Sequence, residues 1–209
     1  MSLQIYNSLS DQKEPFNPVH EGKASLYVCG PTVYSDSHLG HAKAYVSFDV
    51  ILRYLRFCGL KTLYVQNITD VGHLMGDADE GEDKLLKRAR ELNQEPMAVA
   101  ESYSRRHFEA MDLLGVIRPD ISPRATGHIP EQLEAIEKLL EHGLAYESNG
   151  SVYFEITKDP KYGELSNRKV EEMQSGARVK VRSEKRHPGD FALWKRAEPG
   201  HLMRWRDPF

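Results

Sequence analysis

His38 and His41 stand three residues apart, with Leu39 and Gly40 between them. On a helix that spacing sets both imidazoles on one face of one turn. Gly40 removes a side chain where a flat ring or a phosphate would approach the backbone. A helix N-terminus offers unpaired N–H groups and the positive end of a dipole to an anion. An imidazolium beside it can stabilise charge that develops on a phosphate during transfer. Just upstream lies Cys29, whose thiolate would be a soft metal ligand, although a free cysteine is more often a small buried hydrophobe. His-x-Gly-His alone is a weak motif, equally consistent with two exposed histidines at a helix start.

These residues need a strand and a helix to hold them. Ser25 to Val28 is an apolar run that Gly30-Pro31 breaks, the pattern of a buried strand. From Leu39 the spacing becomes helical through Ala42, Tyr45, Val46, Phe48, Ile51, Leu52 and Leu55. Ser37 is the expected N-cap, and Gly59 the expected stop. Lys61 to Gln66 reads as the next strand. Strand, crossover helix and strand imply a parallel pair with a right-handed connection. In a doubly wound sheet the loops at the carboxyl ends of the strands line the ligand crevice. Cys29 and Thr69 would stand at two such ends.

Further along, Lys84–Leu92 and Glu95–Leu114 show helical periodicity. His107 lies on the apolar face of the second, where a packing histidine is expected rather than a ligand. The acidic run from Gly76 to Asp83 does not fit a calcium loop, because Gly81 falls at the fifth position and Arg88 at the twelfth. It reads as a solvated loop entering a helix. Pro119, Pro123 and Pro130 mark a change of character. Beyond them an apolar stripe, Leu133, Ile136, Leu139 and Leu140, precedes two short runs around Asn149-Gly150, a strong hairpin signal. Leu3 to Tyr6 and Arg178 to Arg182 are further strand candidates. Arg178, Lys180, Arg182, Lys185 and Arg186 form a basic cluster that suits the charged face of an edge strand or contact with a nucleic-acid backbone.

Composition sets the outer limits. The chain has 209 residues, 40% hydrophobic and 28% charged, with a net charge of −3. That is a globular composition of one or two domains, and the charge argues against a general nucleic-acid coat. No apolar run approaches the ~20 residues of a membrane span, and the amino end lacks the pattern of a signal peptide. Cys29 and Cys58 provide no disulfide framework, and a reducing cytoplasm is expected.

The run Cys29-Gly-Pro-Thr-Val-Tyr34, followed by His38-Leu-Gly-His41, resembles the first signature of class I aminoacyl-tRNA synthetases, and within them the cysteinyl family. Leu39 replaces the usual isoleucine. Tyr64-Val-Gln-Asn-Ile-Thr-Asp-Val71, Pro123-Arg-Ala-Thr126, Ser175-Gly-Ala-Arg-Val179 and Asp190-Phe-Ala-Leu-Trp-Lys195 continue the resemblance in family order over nearly the whole chain. The resemblance implies an α/β fold: a Rossmann-like parallel sheet, interrupted by an α+β connective-peptide insertion. Residues 1–117 would be the first half of the catalytic domain, and 118–209 the insertion and the start of the return.

The implied activity is ATP-dependent activation of L-cysteine to cysteinyl adenylate, then transfer to tRNA(Cys), in the cytoplasm and by a monomer at full length. His38 and His41 would be catalytic and, with Gly40, contact ATP, which acts with Mg2+. Gly30, Thr32 and Thr69 would bind the amino acid. Cys29 would be one of four zinc ligands, the others falling beyond residue 209. Zinc would bind a thiolate far better than a hydroxyl, separating cysteine from serine more sharply than an apolar pocket can. The family's Lys-Met-Ser-Lys-Ser signature is absent from these residues, and the family is about twice as long. The chain is therefore expected to be an amino-terminal piece, with little activity or zinc affinity alone. Two other readings remain. A cysteine ligase of the mycothiol type would form the same adenylate, but Pro31 and Val33 match the synthetase. A synthetase-like module could dock on tRNA or protein without catalysis.

Overall fold

The computed structural model describes residues 3–72, 83–167, 184–197, 199 and 201–209. Its elements are β1 (Gln4–Asn7), β2 (Gln12–Pro15), β3 (Lys23–Val28), α1 (Leu39–Phe57), β4 (Lys61–Gln66), α2 (Lys84–Leu92), α3 (Pro96–Leu113), α4 (Ile129–Glu141), β5 (Ala145–Ser148), β6 (Ser151–Phe154) and β7 (Phe191–Trp194). Contacts divide the chain into one unit of residues 18–129 and another of residues 1–17 and 130–209.

In the unit of residues 18–129, β3 and β4 run parallel in register from Lys23 opposite Lys61 to Val28 opposite Gln66. α1 supplies the crossover that a parallel pair requires. Residues 120–125 lie along the other edge of β4, also parallel, bridging Val65 to Ile121 and Ile68 to Arg124. The Gln66 and Ile68 N–H groups donate to the carbonyls of Ile121 and Pro123 at 3.0 and 2.8 Å. Pro123 can accept but not donate, so the segment joins the sheet without becoming a regular strand. The proline-marked change of character in the sequence thus coincides with a third parallel line of chain.

The core of this unit is Val28, Tyr45, Leu52, Tyr64, Met111 and Val116, drawn from β3, α1, β4, α3 and the turn after α3. Asp49 is buried among them on α1 and is fully paired. It accepts from Arg53 Nε at 2.6 Å and from the Ile117 N–H at 2.9 Å, while Arg53 also reaches the Gly115 carbonyl. A buried carboxylate is tolerated when its lone pairs are used in this way. Gly59 takes φ 83° one residue beyond the C-cap Cys58, the left-handed geometry that ends α1. Asp83, the last residue of the acidic run, caps α2 through the Leu85 and Leu86 N–H groups; residues 73–82 lie outside the described chain.

In the other unit β1 and β2 form an antiparallel hairpin, and β5, β6 and β7 a three-stranded antiparallel sheet in that order. Asn149 and Gly150, at φ 50° and 76°, make the hairpin turn that the sequence announces. α4 covers the sheet through Ile136, Leu139 and Leu140 against Ala145, Val152 and Trp194. Asp190, 1% exposed, accepts from Tyr146 Oη and from the Ile156 and His187 N–H groups. The strand expected at 178–182, with three of the five clustered basic residues, falls outside the described residues. Arg186 pairs with Glu155 at 2.9 Å and lies 4.1 Å over the Tyr146 ring.

Candidate functional site

The strand ends and the start of α1 are stitched together by backbone bonds. Past β3 and β4 the two chains stay paired, with Thr32 bridged to Thr69. The Thr69 N–H donates to the Pro31 carbonyl at 3.0 Å, and the Val33 N–H to the Thr69 carbonyl at 3.2 Å. Asn67 braces both sides: its Oδ1 accepts from the Gly30 N–H at 2.8 Å, and its Nδ2 donates to Thr69 Oγ1 at 3.1 Å. A Cβ on Gly30 would lie 1.5 Å from the Asn67 carbonyl oxygen, so only glycine permits the approach. Cys29, Gly30, Thr32 and Thr69 therefore share one place. Tyr45 ties α1 to it, donating from its hydroxyl to the Cys29 carbonyl at 3.4 Å.

The N-cap of α1 is His38, not Ser37. His38 has an extended backbone, and its Nδ1 accepts from the Gly40 N–H at 3.0 Å. His41 reciprocates, its Nδ1 accepting from the His38 N–H at 3.1 Å. Two histidines thus form the reciprocal cap usually built from a hydroxyl and a carboxylate. Ser37 loses the role because the chain turns helical one residue later, leaving the His38 ring over the first turn. Gly40 makes room for it: a Cβ there would lie 2.8 Å from His38 Cε1. The group that approaches the Gly40 backbone is therefore the His38 ring itself.

This geometry settles the tautomers. Each Nδ1 accepts a backbone N–H and carries no proton, so each neutral ring bears its proton on Nε2. The rings lie 4.1 Å apart. Burial, and then the neighbouring His38, hold the His41 pKa below its ordinary value. With each Nδ1 taken by a backbone N–H, Nε2 is the ring atom left to donate to a ligand.

Behind the pair, His107 of α3 is 2% exposed. Its Nδ1 lies 2.9 Å from Ser37 Oγ, and its ring meets Tyr45 edge to face at 5.1 Å. Burial, and then His41, push its pKa down to about 4. Asp70, wholly buried after β4, accepts from Thr126 Oγ1 at 2.6 Å and from the Thr126 N–H at 3.0 Å. It fastens Thr69 to the segment beyond Pro123. Sequence reasoning passed over Asn67, Asp70 and Tyr45 as working parts. Asn67 and Asp70 carried a signal, as polar residues just past a strand end.

A metal finds one donor here. Cys29 is exposed, but among the described residues no three or more His, Cys, Asp or Glu side chains are gathered to hold a metal ion. The described residues by themselves do not make a zinc site. An open hollow lined by Tyr6, Asp11, Asp159, Lys161 and Tyr162 lies in the other unit and contains none of these residues.

Comparison with known proteins bears on this geometry. A family model described as tRNA synthetases class I (C) catalytic domain matches residues 15–209. The chain is 61% identical over 213 residues to a cysteine–tRNA ligase of Chlorobaculum tepidum, covering 100% of this chain and 44% of that protein. With a cysteine–tRNA ligase of Thermus thermophilus the identity is 57% over 209 residues, at 100% and 44% coverage. With that of Bacteroides thetaiotaomicron it is 52% over 211 residues, at 99% and 43%. The chain thus spans less than half the length of these relatives. Among solved structures, the LeuRS of Agrobacterium radiobacter K84, in a ternary complex with tRNA and LeuAMS, superposes with a TM-score of 0.50 at 19% identity, covering 68% of this chain and 18% of that one. That likeness concerns the fold alone.

Proposed function

Since this chain belongs to the class I tRNA synthetase (C) catalytic-domain family, we propose that it forms the ATP- and cysteine-binding part of a cysteine–tRNA ligase. In the first step the carboxylate of L-cysteine attacks the α-phosphate of ATP, which acts with Mg2+. Cysteinyl adenylate forms and pyrophosphate leaves. In the second step the acyl group passes to a terminal ribose hydroxyl of tRNA(Cys). Neither step needs a protein nucleophile, so positioning and charge stabilisation carry the rate.

His38 and His41 donate from Nε2–H to the triphosphate and stabilise the charge that develops on it. Gly40 keeps the first turn of α1 open to the His38 ring and to the nucleotide. Gly30, Thr32 and Thr69 position the amino acid where the two strand ends meet. Cys29 would supply one thiolate to a zinc ion whose other ligands lie outside the described residues, and such an ion would favour a thiol over a hydroxyl. Residues 1–117 belong to the first half of the nucleotide-binding domain. Residues 118–209 carry the connective-peptide insertion and the start of the return. The full-length protein acts as a cytoplasmic monomer. Among the described residues no helix is long and apolar enough to cross a membrane.

The observation that carries this reading is the histidine pair capping α1 beside the paired ends of β3 and β4. The test is cysteine-dependent ATP–pyrophosphate exchange by the chain extended to its natural stop codon. Exchange that is lost on His41→Ala or Cys29→Ala is the expected result. No exchange in a zinc-replete preparation would sink the ligase reading and favour a non-catalytic docking module.

A further inference from the structure

One buried polar side-chain atom among the described residues has no hydrogen-bond partner, and it is His107 Nε2. Such an atom needs a reason. The other ring nitrogen, Nδ1, meets Ser37 Oγ at 2.9 Å. Either group could donate in that contact. If Ser37 donates, the His107 proton sits on Nε2, and a buried N–H is left without an acceptor. If Nδ1–H donates, only a lone pair is left unused. Among backbone groups a buried N–H is left orphaned more rarely than an acceptor, and we carry that preference over to the ring nitrogens. A doubly protonated ring is disfavoured by burial, with His41 close by. The better arrangement is a neutral His107 donating from Nδ1 to the Ser37 hydroxyl oxygen.

That assignment has an outcome at the surface. A hydroxyl has one proton to give and two lone pairs. With one lone pair taken by His107, the Ser37 proton turns away from the interior. Ser37 stands immediately before the cap residue His38 and is partly exposed. The loop is held from the same side at the neighbouring residue, where Arg106 of α3 meets Asp36 at 2.7 Å. Consecutive α3 residues, Arg106 and His107, thus grip consecutive loop residues, Asp36 and Ser37.

We propose that Ser37 is a third donor to the anionic oxygens received at the start of α1, beside His38 and His41, and that His107 is the positioning residue that turns its hydroxyl proton toward them. This rests on the reading that a triphosphate binds at that turn. The ligand class is a polyphosphate, tested as ATP. The motif alone would not single out Ser37, because the orienting group lies on α3.

The test uses the full-length protein and reads ATP affinity by calorimetry without cysteine, alongside the imidazole nitrogen spectrum. Ser37→Ala is expected to weaken ATP binding about tenfold, the worth of one hydrogen bond to a charged oxygen at a partly exposed site. His107→Leu is expected to show a similar loss. His107→Asn, which restores an N–H near the Nδ1 position, is expected to recover most of it. In the parent protein the His107 Nδ1 signal is expected in the protonated range and Nε2 in the unprotonated range. Unchanged ATP affinity in Ser37→Ala, or a His107 proton found on Nε2, overturns the inference. Ser37→Ala removes one partly exposed oxygen, so its result does not depend on how the core tolerates changes at His107. Unchanged affinity with exchange activity intact overturns this inference alone. The tenfold loss without any cysteine-dependent exchange overturns only the activation reading.

Discussion

At the level of single residues, the histidine pair has two duties that substitution can separate. Nδ1 of each ring caps the helix, and Nε2 is the nitrogen left for a ligand. Asparagine is a strong N-cap, so His38→Asn should keep the thermal midpoint while exchange falls on the order of a hundredfold for loss of one transition-state donor. His38→Ala should lose the same activity and also about 1 kcal/mol of stability. Equal melting temperatures for the two variants would argue against the capping role. Gly40→Ala should destabilise the protein although alanine is the better helix former, because the new methyl displaces the His38 ring.

His107 makes a pH prediction. Its pKa is about 4 in the folded chain, against 6.5 for the free side chain. Between those values the unfolded chain holds the proton and the folded chain does not. Stability therefore rises with pH across this window and is lost as pH falls through it. The loss by pH 4 should reach at most about 3 kcal/mol, and denaturant titrations of the parent and His107→Leu would read the difference. The lowered pKa of His41 acts in the same direction. A variant whose stability falls as steeply as the parent's would refute the assignment to His107.

At the level of elements, what matters is how the strand ends are kept together beyond the sheet proper. Asn67 and Asp70 do this from one loop, Asn67 toward Gly30 and Thr69, Asp70 toward Thr126. Asp70→Asn places an amide where a carboxylate accepts two donors from Thr126. It should cost about 2 kcal/mol, from one buried donor left unpaired. It should also raise the KM for cysteine more than it lowers kcat, if Thr69 positions the amino acid. Thermal unfolding with steady-state exchange kinetics would separate the two effects. The elements themselves were legible in the sequence: the periodicity of residues 39–55, the punctuation at Gly59 and Asn149-Gly150, and the apolar run of β4 appear in the structure where expected. Residues 120–125 were not legible as a sheet line, since prolines in a short run argue against a strand. They pair nonetheless because the chain uses its carbonyls.

At the level of the whole molecule, the chain spans less than half the length of its curated relatives. The Lys-Met-Ser-Lys-Ser signature is absent from its 209 residues. The 209-residue chain is expected to give no measurable cysteine-dependent exchange, while the chain extended to its stop codon does; exchange by the shorter form would show that the missing signature is dispensable. Family, fold class and the His38–His41 motif were determined by the sequence itself, because they rest on local spacing and on side-chain types that one segment carries intact. Ser37 was expected to cap α1, and only the folded chain assigns that place to His38, since capping depends on where the backbone first turns helical. The partnership of Ser37 with His107 and that of Asp70 with Thr126 join residues 70 and 56 positions apart. No local pattern encodes such pairs. They arise when α3 and residues 120–125 pack against the sheet and bury polar groups that must then find partners.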